Sequence, residues 1–477
     1  MEPIFELAFS PEQLQRGQIQ QQLQRVLTDA IIQGRLKSGE KMPASRVLAS
    51  QLSIARNSVV ACYDALVSQG YLVSKTGAGT FVANIAQRQT NNSGLQPQDK
   101  RLRRYWQQAS LFSASDDHAY QYDFAVGQPD ISEFPFHYWQ RCLRKASGLQ
   151  AHQQLAKDDA QGILSLRQAI AHFVSQSRAV ACGAQQIVIT QGAQQAFDLI
   201  SRLLVEPGKT VVGLESPGYP MVRMAFKAAG ALIRDIAVDY EGICVSDIPQ
   251  DVDIIYVTPS HQFPTGVAMS AHRRQLLLNW AHQGNKVIIE DDYDSEFRLT
   301  GRPIDALKSH DHSDNVFYVG TFAKCMLPDL RLGFVVVPDW ARCAMVKARQ
   351  HSDWHSSCVT QHALAQFIGE GFLLKHLRRM RRVYRERYQA IIDCIRQYSN
   401  QQWQVIPIIA GVHVAIRLSG VQAKTDIIGI AKAHNIKVHT SQQFSPGASA
   451  ENLLVLGFGH IKVEDIKPAI QTLTHIL

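Results

Sequence analysis

Three segments of this sequence carry residues whose types and spacing suit one chemistry. In NVFYVGTFAKCMLPDLRLGF, an apolar strand (VFYV) leads into a loop of small residues holding Thr321 and Lys324, with Arg331 further on. A lysine amine sheltered in such a loop forms a Schiff base with an aldehyde-bearing cofactor. Thr321 offers a hydroxyl, and Arg331 a guanidinium, for a phosphate on the same molecule. In KVIIEDDYDSEFR a second apolar strand delivers Asp291 and Tyr293 at its carboxyl end. A carboxylate beside a pyridine nitrogen keeps that nitrogen protonated and makes the ring an electron sink. A tyrosine hydroxyl at that point hydrogen-bonds an oxygen on the ring. The adjoining Glu290, Asp292 and Asp294 read as structural or solvated.

In QIVITQGAQQAFDLISRLL a strand ends at Thr190, and Gly192, Ala193 and Gln194 open a helix. Free amides and the helix dipole make that turn an anion site suited to phosphate. Tyr219, in ESPGYP, is positioned to stack on a cofactor ring, although a core or turn aromatic is the plainer reading of it alone. A lone lysine after a strand is usually a surface residue. The assignment of Lys324 therefore rests on its companions.

The elements that must position these groups follow from hydrophobic periodicity. From about residue 119, strand-like runs (QIVIT, TVVGLE, DIIYVTP, KVIIEDD, NVFYVG) alternate with helical stretches, which predicts an α/β domain with a largely parallel sheet over residues 119–477. Residues 11–83 read differently. Ile19, Leu23, Val26, Leu27, Ala30 and Ile31 recur at helical spacing up to Gly34. Two short helices follow, one begun at Pro43 and Ser45, the other running from about Asn57 to Gln69. YLVSK–TGAG–TFVA then reads as a hairpin turned at Gly77 and Gly79. Two helices and a hairpin suit a winged helix-turn-helix. Arg46 opens its first short helix. Arg56, Asn57 and Ser58 open the second, whose start faces the major groove, and Lys75, Gly77 and Thr80 meet phosphate or the minor groove. The alternative is a small helical domain with ordinary surface arginines. Eight basic against six acidic residues over 1–83, a net of +2, lean that way.

Residues 84–118, poor in aliphatics and rich in Gln, Asn and Ser, predict a flexible linker spanning roughly 30 Å as a coil. Its cluster Lys100–Arg104 reads as keeping the linker solvated, the alternative being contact with DNA phosphates. The run FLLKHLRRMRRVYRERYQ (372–389) reads as a basic helix with a solvated face, the alternative being a second DNA-contact face.

The chain has 477 residues, 45% of them hydrophobic and 19% charged, which suits several packed domains and argues against global disorder. A net charge of +8 is compatible with a polyanionic partner. Eight cysteines are scattered without a CxxC pair, so reduced thiols in a cytoplasmic protein are expected rather than disulfides, and no metal site is indicated. MEPIFELAFS has no leader-like apolar run, and no stretch is long and apolar enough for a membrane helix.

The run from Gly39 to Val82 resembles the GntR-type winged helix: Pro-small-Ser-Arg, Ala-Arg-Asn-Ser, Gly-Tyr-Leu, then Gly-x-Gly-Thr-Phe-Val. Residues 119–477 resemble the fold-type I pyridoxal 5'-phosphate (PLP) enzymes of the aspartate aminotransferase class. Together they resemble the MocR subfamily of GntR regulators, whose wording GQPDISEFPFHYWQR, TPSHQFPTG, IIEDDYDSEFR and YVGTFAKCMLPDLRLGF matches. The resemblance implies that PLP sits on Lys324. Asp291 would pair with the ring nitrogen and Tyr293 with the ring hydroxyl. Thr321, Arg331, Gly192, Ala193 and Gln194 would hold the phosphate, with Tyr219 and His261 beside the cofactor.

Three positions depart from the aminotransferase pattern. Phe263 replaces the asparagine before Pro-Thr-Gly, as in MocR proteins. Val455 replaces the arginine that grips a substrate carboxylate, and Lys157 stands where a small-loop tyrosine is expected. Arg417 and Arg223 are candidates to compensate. The expected function is a PLP-dependent transcriptional regulator, binding operator DNA as a homodimer and sensing PLP or an amine or amino-acid effector, with slow or no transamination. The rival is a working aminotransferase that carries a DNA-binding module.

Overall fold

The computed structural model describes residues 18–84, 101–108, 118–148, 160–301, 304–399, 401–419, 426–445 and 453–477. The opening run read for a leader, Lys100, most of the expected linker and Lys157 lie outside these residues. The chain divides into two compact units, at residues 107 and 108.

In the first unit, α1 (Ile19–Ile32) buries Leu23, Leu27, Ala30 and Ile31, one stripe at helical spacing. That stripe shares a core with Leu48 of α2 (Ser45–Gln51) and with Val59, Cys62 and Leu66 of α3 (Arg56–Ser68). Strands β1 (Leu72–Lys75) and β2 (Gly79–Val82) pair antiparallel from Leu72↔Val82 to Lys75↔Gly79. Gly77 stands at φ +76° in their turn. The segment before α2 backs this hairpin, through Met42 N–H to Thr80 O at 2.8 Å and Val82 N–H to Glu40 O at 2.9 Å. The predicted helices and wing are therefore present. One expectation needs amending: Arg104–Gln108, at the end of the expected linker, forms a short helix, α4.

The second unit opens with β3 (Tyr122–Asp123) and is built on an eight-stranded sheet. Its strands are β4 (Ile187–Thr190), β5 (Val211–Ser216), β6 (Leu232–Asp239), β7 (Gly242–Ile243), β8 (Ile254–Val257), β9 (Val287–Asp292), β10 (Val316–Thr321) and β11 (Gly333–Val336), in the order β4-β11-β10-β9-β8-β5-β6-β7. The stretch β10-β9-β8-β5-β6 is parallel, as the alternating pattern predicts. β11 runs antiparallel to both β10 and β4, and β7 antiparallel to β6, so the sheet is mixed. Helices pack against both faces. Among them are α5 (Leu164–Arg178), α6 (Ala193–Leu204) and α7 (Phe372–Tyr398). A smaller sheet of β12 (Trp403–Val405), β13 (His413–Leu418), β15 (His439–Thr440) and β16 (Leu454–Gly457) follows, while β14 (Ile436–Lys437) pairs with β3. All eight cysteines are free thiols. Among the described residues, no helix is long and apolar enough to cross a membrane.

Candidate functional site

Register puts the anion-binding groups side by side. Thr321, the last residue of β10, lies opposite Gly333, the first of β11, and Gly333 lies opposite Thr190, the last of β4. Two residues beyond Thr190 the chain turns at Gly192 into α6; two residues before Gly333 stands Arg331. The Arg331 guanidinium donates to Gln191 O at 3.2 Å, and a Cβ built on Gly192 would meet its carbon at 3.5 Å. The three strand ends approach closely because position 333 is glycine. A Cβ there would stand 2.9 Å from the Gly320 carbonyl and 3.0 Å from Gly192 backbone. Arg331 itself is held in the left-handed region, at φ +48°, which aims its side chain across the turn. Ala193 and Gln194 begin α6. Gln194 donates to Met221 O at 3.3 Å, and its own side-chain oxygen is buried without a partner.

Lys324 lies three residues past β10. Its amine donates to Gly127 O at 2.7 Å. Burial holds the amine below the ordinary lysine range and Arg331 pushes the same way, while Asp294 and Asp291 oppose both. Asp291 faces the same region from β9, where alternation turns it opposite to Glu290 and Asp292. One carboxyl oxygen accepts from Tyr256 Oη at 2.6 Å; the other is buried with no partner. Burial pushes this carboxyl up to about 7, and Asp292 and Asp294 add to it against the Tyr256 hydrogen bond. Tyr219, at the N-cap of Pro220–Ala229, is affected electrostatically by both Asp291 and Arg331 and meets Phe263 edge-on at 5.7 Å. Thr321 is buried and accepts from Ala323 N–H at 3.2 Å.

Two features of this neighbourhood sharpen the sequence expectation. The Tyr293 hydroxyl donates to the His261 carbonyl at 2.8 Å, so a hydrogen bond donated to a ring oxygen requires release of that contact. Glu290, Asp292 and Asp294 are structural and not solvated. Glu290 accepts from the Leu307 and Lys308 amides at 2.7 Å, Asp292 pairs with Arg178 at 2.6 Å, and Asp294 meets His261 Nδ1 at 3.0 Å. Both partners in the last two pairs are buried.

His413, from the start of β13, was not singled out in the sequence. Its ring lies 4.3 Å from that of His261, and Phe263 packs edge-on against it at 5.5 Å. His261, Asp294 and His413 bring ligating atoms within 4.8 Å of one another, and both histidines leave Nε2 buried without a partner. Residues 261, 294 and 413 are too far apart in the chain for spacing to reveal this cluster. Gly127 and Tyr256 were likewise invisible, being ordinary strand and loop residues until the fold brings them to Lys324 and Asp291.

The positions considered for gripping a substrate carboxylate are occupied otherwise. Val455, on β16, is fully buried in an apolar cluster with Ala415 and Leu453. Arg223 pairs with Asp235, and Arg417 is exposed on β13, donating to Gln404 at 3.2 Å.

The site's donors fit a phosphorylated pyridine aldehyde. A buried carboxyl oxygen waits without a partner, a guanidinium crosses a helix-opening turn, and a sheltered lysine has its proton affinity lowered. In the first unit, Arg46, Arg56, Asn57, Lys75 and Gly77 are exposed, and Ser58 and Thr80 half-buried. Lys75 rests its ammonium 5.3 Å from the centre of the Phe81 ring.

Comparison with known proteins extends these observations. Residues 19–82 match the family model of bacterial regulatory proteins of the gntR family, and residues 119–454 that of aminotransferase class I and II. Over 460 residues the chain is 32% identical to an HTH-type transcriptional regulator of Bacillus subtilis, YdeL, with 95% of each chain covered. It is also 32% identical to the probable rhizopine catabolism regulatory protein MocR of Rhizobium meliloti, covering 95% of this chain and 92% of that one. The crystal structure of the Pyrococcus horikoshii kynurenine aminotransferase superposes with a TM-score of 0.69 at 25% identity, over 75% of this chain and 91% of its own.

Proposed function

The chain belongs to the MocR-type group of GntR-family bacterial regulators, in which a winged helix precedes an aminotransferase class I and II domain, and on that premise we propose that it is a PLP-responsive transcription factor. Residues 11–83 bind operator DNA; residues 119–477 sense the cofactor and, through it, a primary amine or amino acid. The observation that carries the reading is the contrast inside the second unit. The groups that would anchor a cofactor are present and converge, whereas Val455 offers no donor where a carboxylate-gripping arginine is expected.

In this assignment Lys324 holds the cofactor aldehyde, Asp291 the ring nitrogen, Tyr219 a ring face, and Thr321, Arg331 and the Gly192–Gln194 turn the phosphate. Tyr293 and His261 border the ring oxygen. When bound, the cofactor supplies reversible covalent capture of amines. The chain's own groups set the terms of that capture. Asp291, uncomfortable as a lone buried anion, gains a cationic partner in a protonated ring nitrogen. Lys324, with its proton held less tightly than in water, releases that proton more readily than an exposed lysine. Ligand capture controls DNA only where it favours one arrangement of the two units over another. As a homodimer in the cytoplasm, the protein would set two winged helices on a repeated operator.

The experiment is an operator-binding titration of the full chain with and without PLP, alongside Lys324→Ala. A change in affinity or in the protected DNA on adding PLP, absent in Lys324→Ala, is expected. Identical binding curves in all four states would overturn the sensing role and leave only a scaffold.

A further inference from the structure

The basic residues of α7 differ in their partners. Arg387 is buried against Asp130, Arg379 pairs with Glu133, and Arg385 donates to Leu299 O at 3.0 Å. Arg378 and Arg381 instead face a cavity of about 290 Å³, where Arg298 joins them from the segment after β9. Arg381 spends its Nε on the Glu296 carbonyl, at 2.6 Å. The side chains of Arg298 and Arg378 form no hydrogen bond or ion pair among the described residues. Burial lowers the proton affinity of Arg381, and Arg298 and Arg378 add to this by repulsion, against the attraction of Glu296.

Among the described residues, these three guanidinium groups around one cavity form no ion pair. Glu296 lines the same space but pairs with none of them, and one of its carboxyl oxygens is buried without a partner. The Ser295 hydroxyl is buried and unpartnered there too. Phe173 and Leu377 give the cavity an apolar wall. A few convergent polar groups over an apolar wall is the make-up of a small-molecule site, and the volume is at the small end of such sites.

We propose that this cavity is a second ligand site, separate from the Lys324 site, which takes a small organic oxyanion. Its carboxylate or phosphate would lie among Arg298, Arg378 and Arg381, with its uncharged body on Phe173 and Leu377. Guanidinium pairs bind both groups by charge-assisted, two-pronged hydrogen bonds. Arg178 also lines the cavity and holds Asp292, next to Asp291 on β9, so occupancy would bear on the strand that carries Asp291. The inference stands whether or not the chain responds to PLP.

The test is equilibrium dialysis of the full chain saturated with PLP, so that the cofactor's own phosphate position is filled. Inorganic phosphate is one probe and succinate the other, which separates phosphate-bearing from carboxylate-bearing ligands. One saturable site per chain is expected for at least one probe. Arg378→Gln with Arg381→Gln should weaken it at least about tenfold, since each removes a charge-assisted hydrogen bond. Arg298→Gln, on a different element, should do the same. Arg382→Gln, exposed on the same helix but outside the cavity, should leave it unchanged, and an unaltered cofactor spectrum reports that each variant folds. Absence of a saturable site, an equal loss in Arg382→Gln, or displacement of both probes by duplex DNA would each overturn the proposal.

Discussion

The Lys324 amine donates a hydrogen bond to the Gly127 carbonyl, across 197 positions of sequence. Gly127 has φ +77°, and a Cβ there would stand 2.8 Å from the Lys324 nitrogen. The amine's resting place is therefore shaped by the absence of a side chain at 127. Gly127→Ala should displace the amine and strain the backbone, at a cost of about 1–3 kcal/mol. We expect slower and weaker attachment of PLP, followed by the growth of its absorbance band after mixing. Attachment at the unaltered rate would show that the contact is incidental.

Lys324→Ala should abolish covalent attachment altogether. Borohydride reduction of the holo protein and peptide mass mapping provide the check. A pyridoxyl label on any other lysine contradicts the assignment.

Asp291 makes a prediction about pH. Its carboxyl is raised from the ordinary range to about 7, so the folded state holds a proton that the unfolded chain releases near pH 4. Its contribution to stability is thus fully present below about pH 4 and lost as pH rises through about 7. Asp291→Asn removes this penalty. Without PLP, the variant should be more stable than the parent at pH 8 by about 1–3 kcal/mol, with little difference at pH 4. With PLP the order should reverse, because the ring nitrogen loses its counter-charge. Denaturant unfolding at the two pH values, with and without PLP, decides it; an apo variant less stable at pH 8 counts against the reading.

Arg46→Ala and Arg56→Ala should each weaken operator binding by about 1–3 kcal/mol if they reach base edges. Affinity of the parent should fall steeply with salt. Gel-shift titrations at several salt concentrations test both. Equal operator affinity of residues 119–477 alone would show that the two units do not divide the work as proposed.

Transamination of ordinary α-amino acids should be slow or undetectable. A carboxylate gripped by an arginine fixes the bond to be broken over the ring. Val455, buried among Ala415 and Leu453, supplies no such grip, and Arg223 is committed to Asp235. Stopped-flow spectroscopy with a panel of amino acids measures it. Pyridoxamine phosphate appearing at rates typical of metabolic enzymes would promote the aminotransferase alternative.

What could be read in the sequence was what short-range pattern encodes. The VFYV strand before Lys324 and the apolar run before Asp291 appear as β10 and β9. The turn at Gly77 appears as the predicted hairpin. What escaped depends on pairing between distant segments. Nothing local to His413 or Tyr256 signals that one lies against His261 and the other holds Asp291. The arginines of α7 look alike in sequence. Each one's partner is set by which segment crosses it: Lys375, Arg378, Arg379, Arg382 and Arg385 share the expected exposed face, while Arg387 is buried against Asp130 and Arg381 reaches the Glu296 carbonyl. The antiparallel course of β11 is hidden for a related reason, since a short apolar run carries no sign of its direction.

That course has a bearing on how the protein is made. β11 sits between β4 and β10, and its partners on β4 precede it by some 140 residues. Contacts so distant close late, because the intervening chain must be ordered first. On a ribosome, β4 and the turn at Gly192 wait for β11 to be synthesised before the three strand ends can meet. The pocket at Thr190, Thr321 and Gly333 cannot form before then. A chain in which these three strand ends meet has, by that fact, joined β4, β11 and β10 of its central sheet.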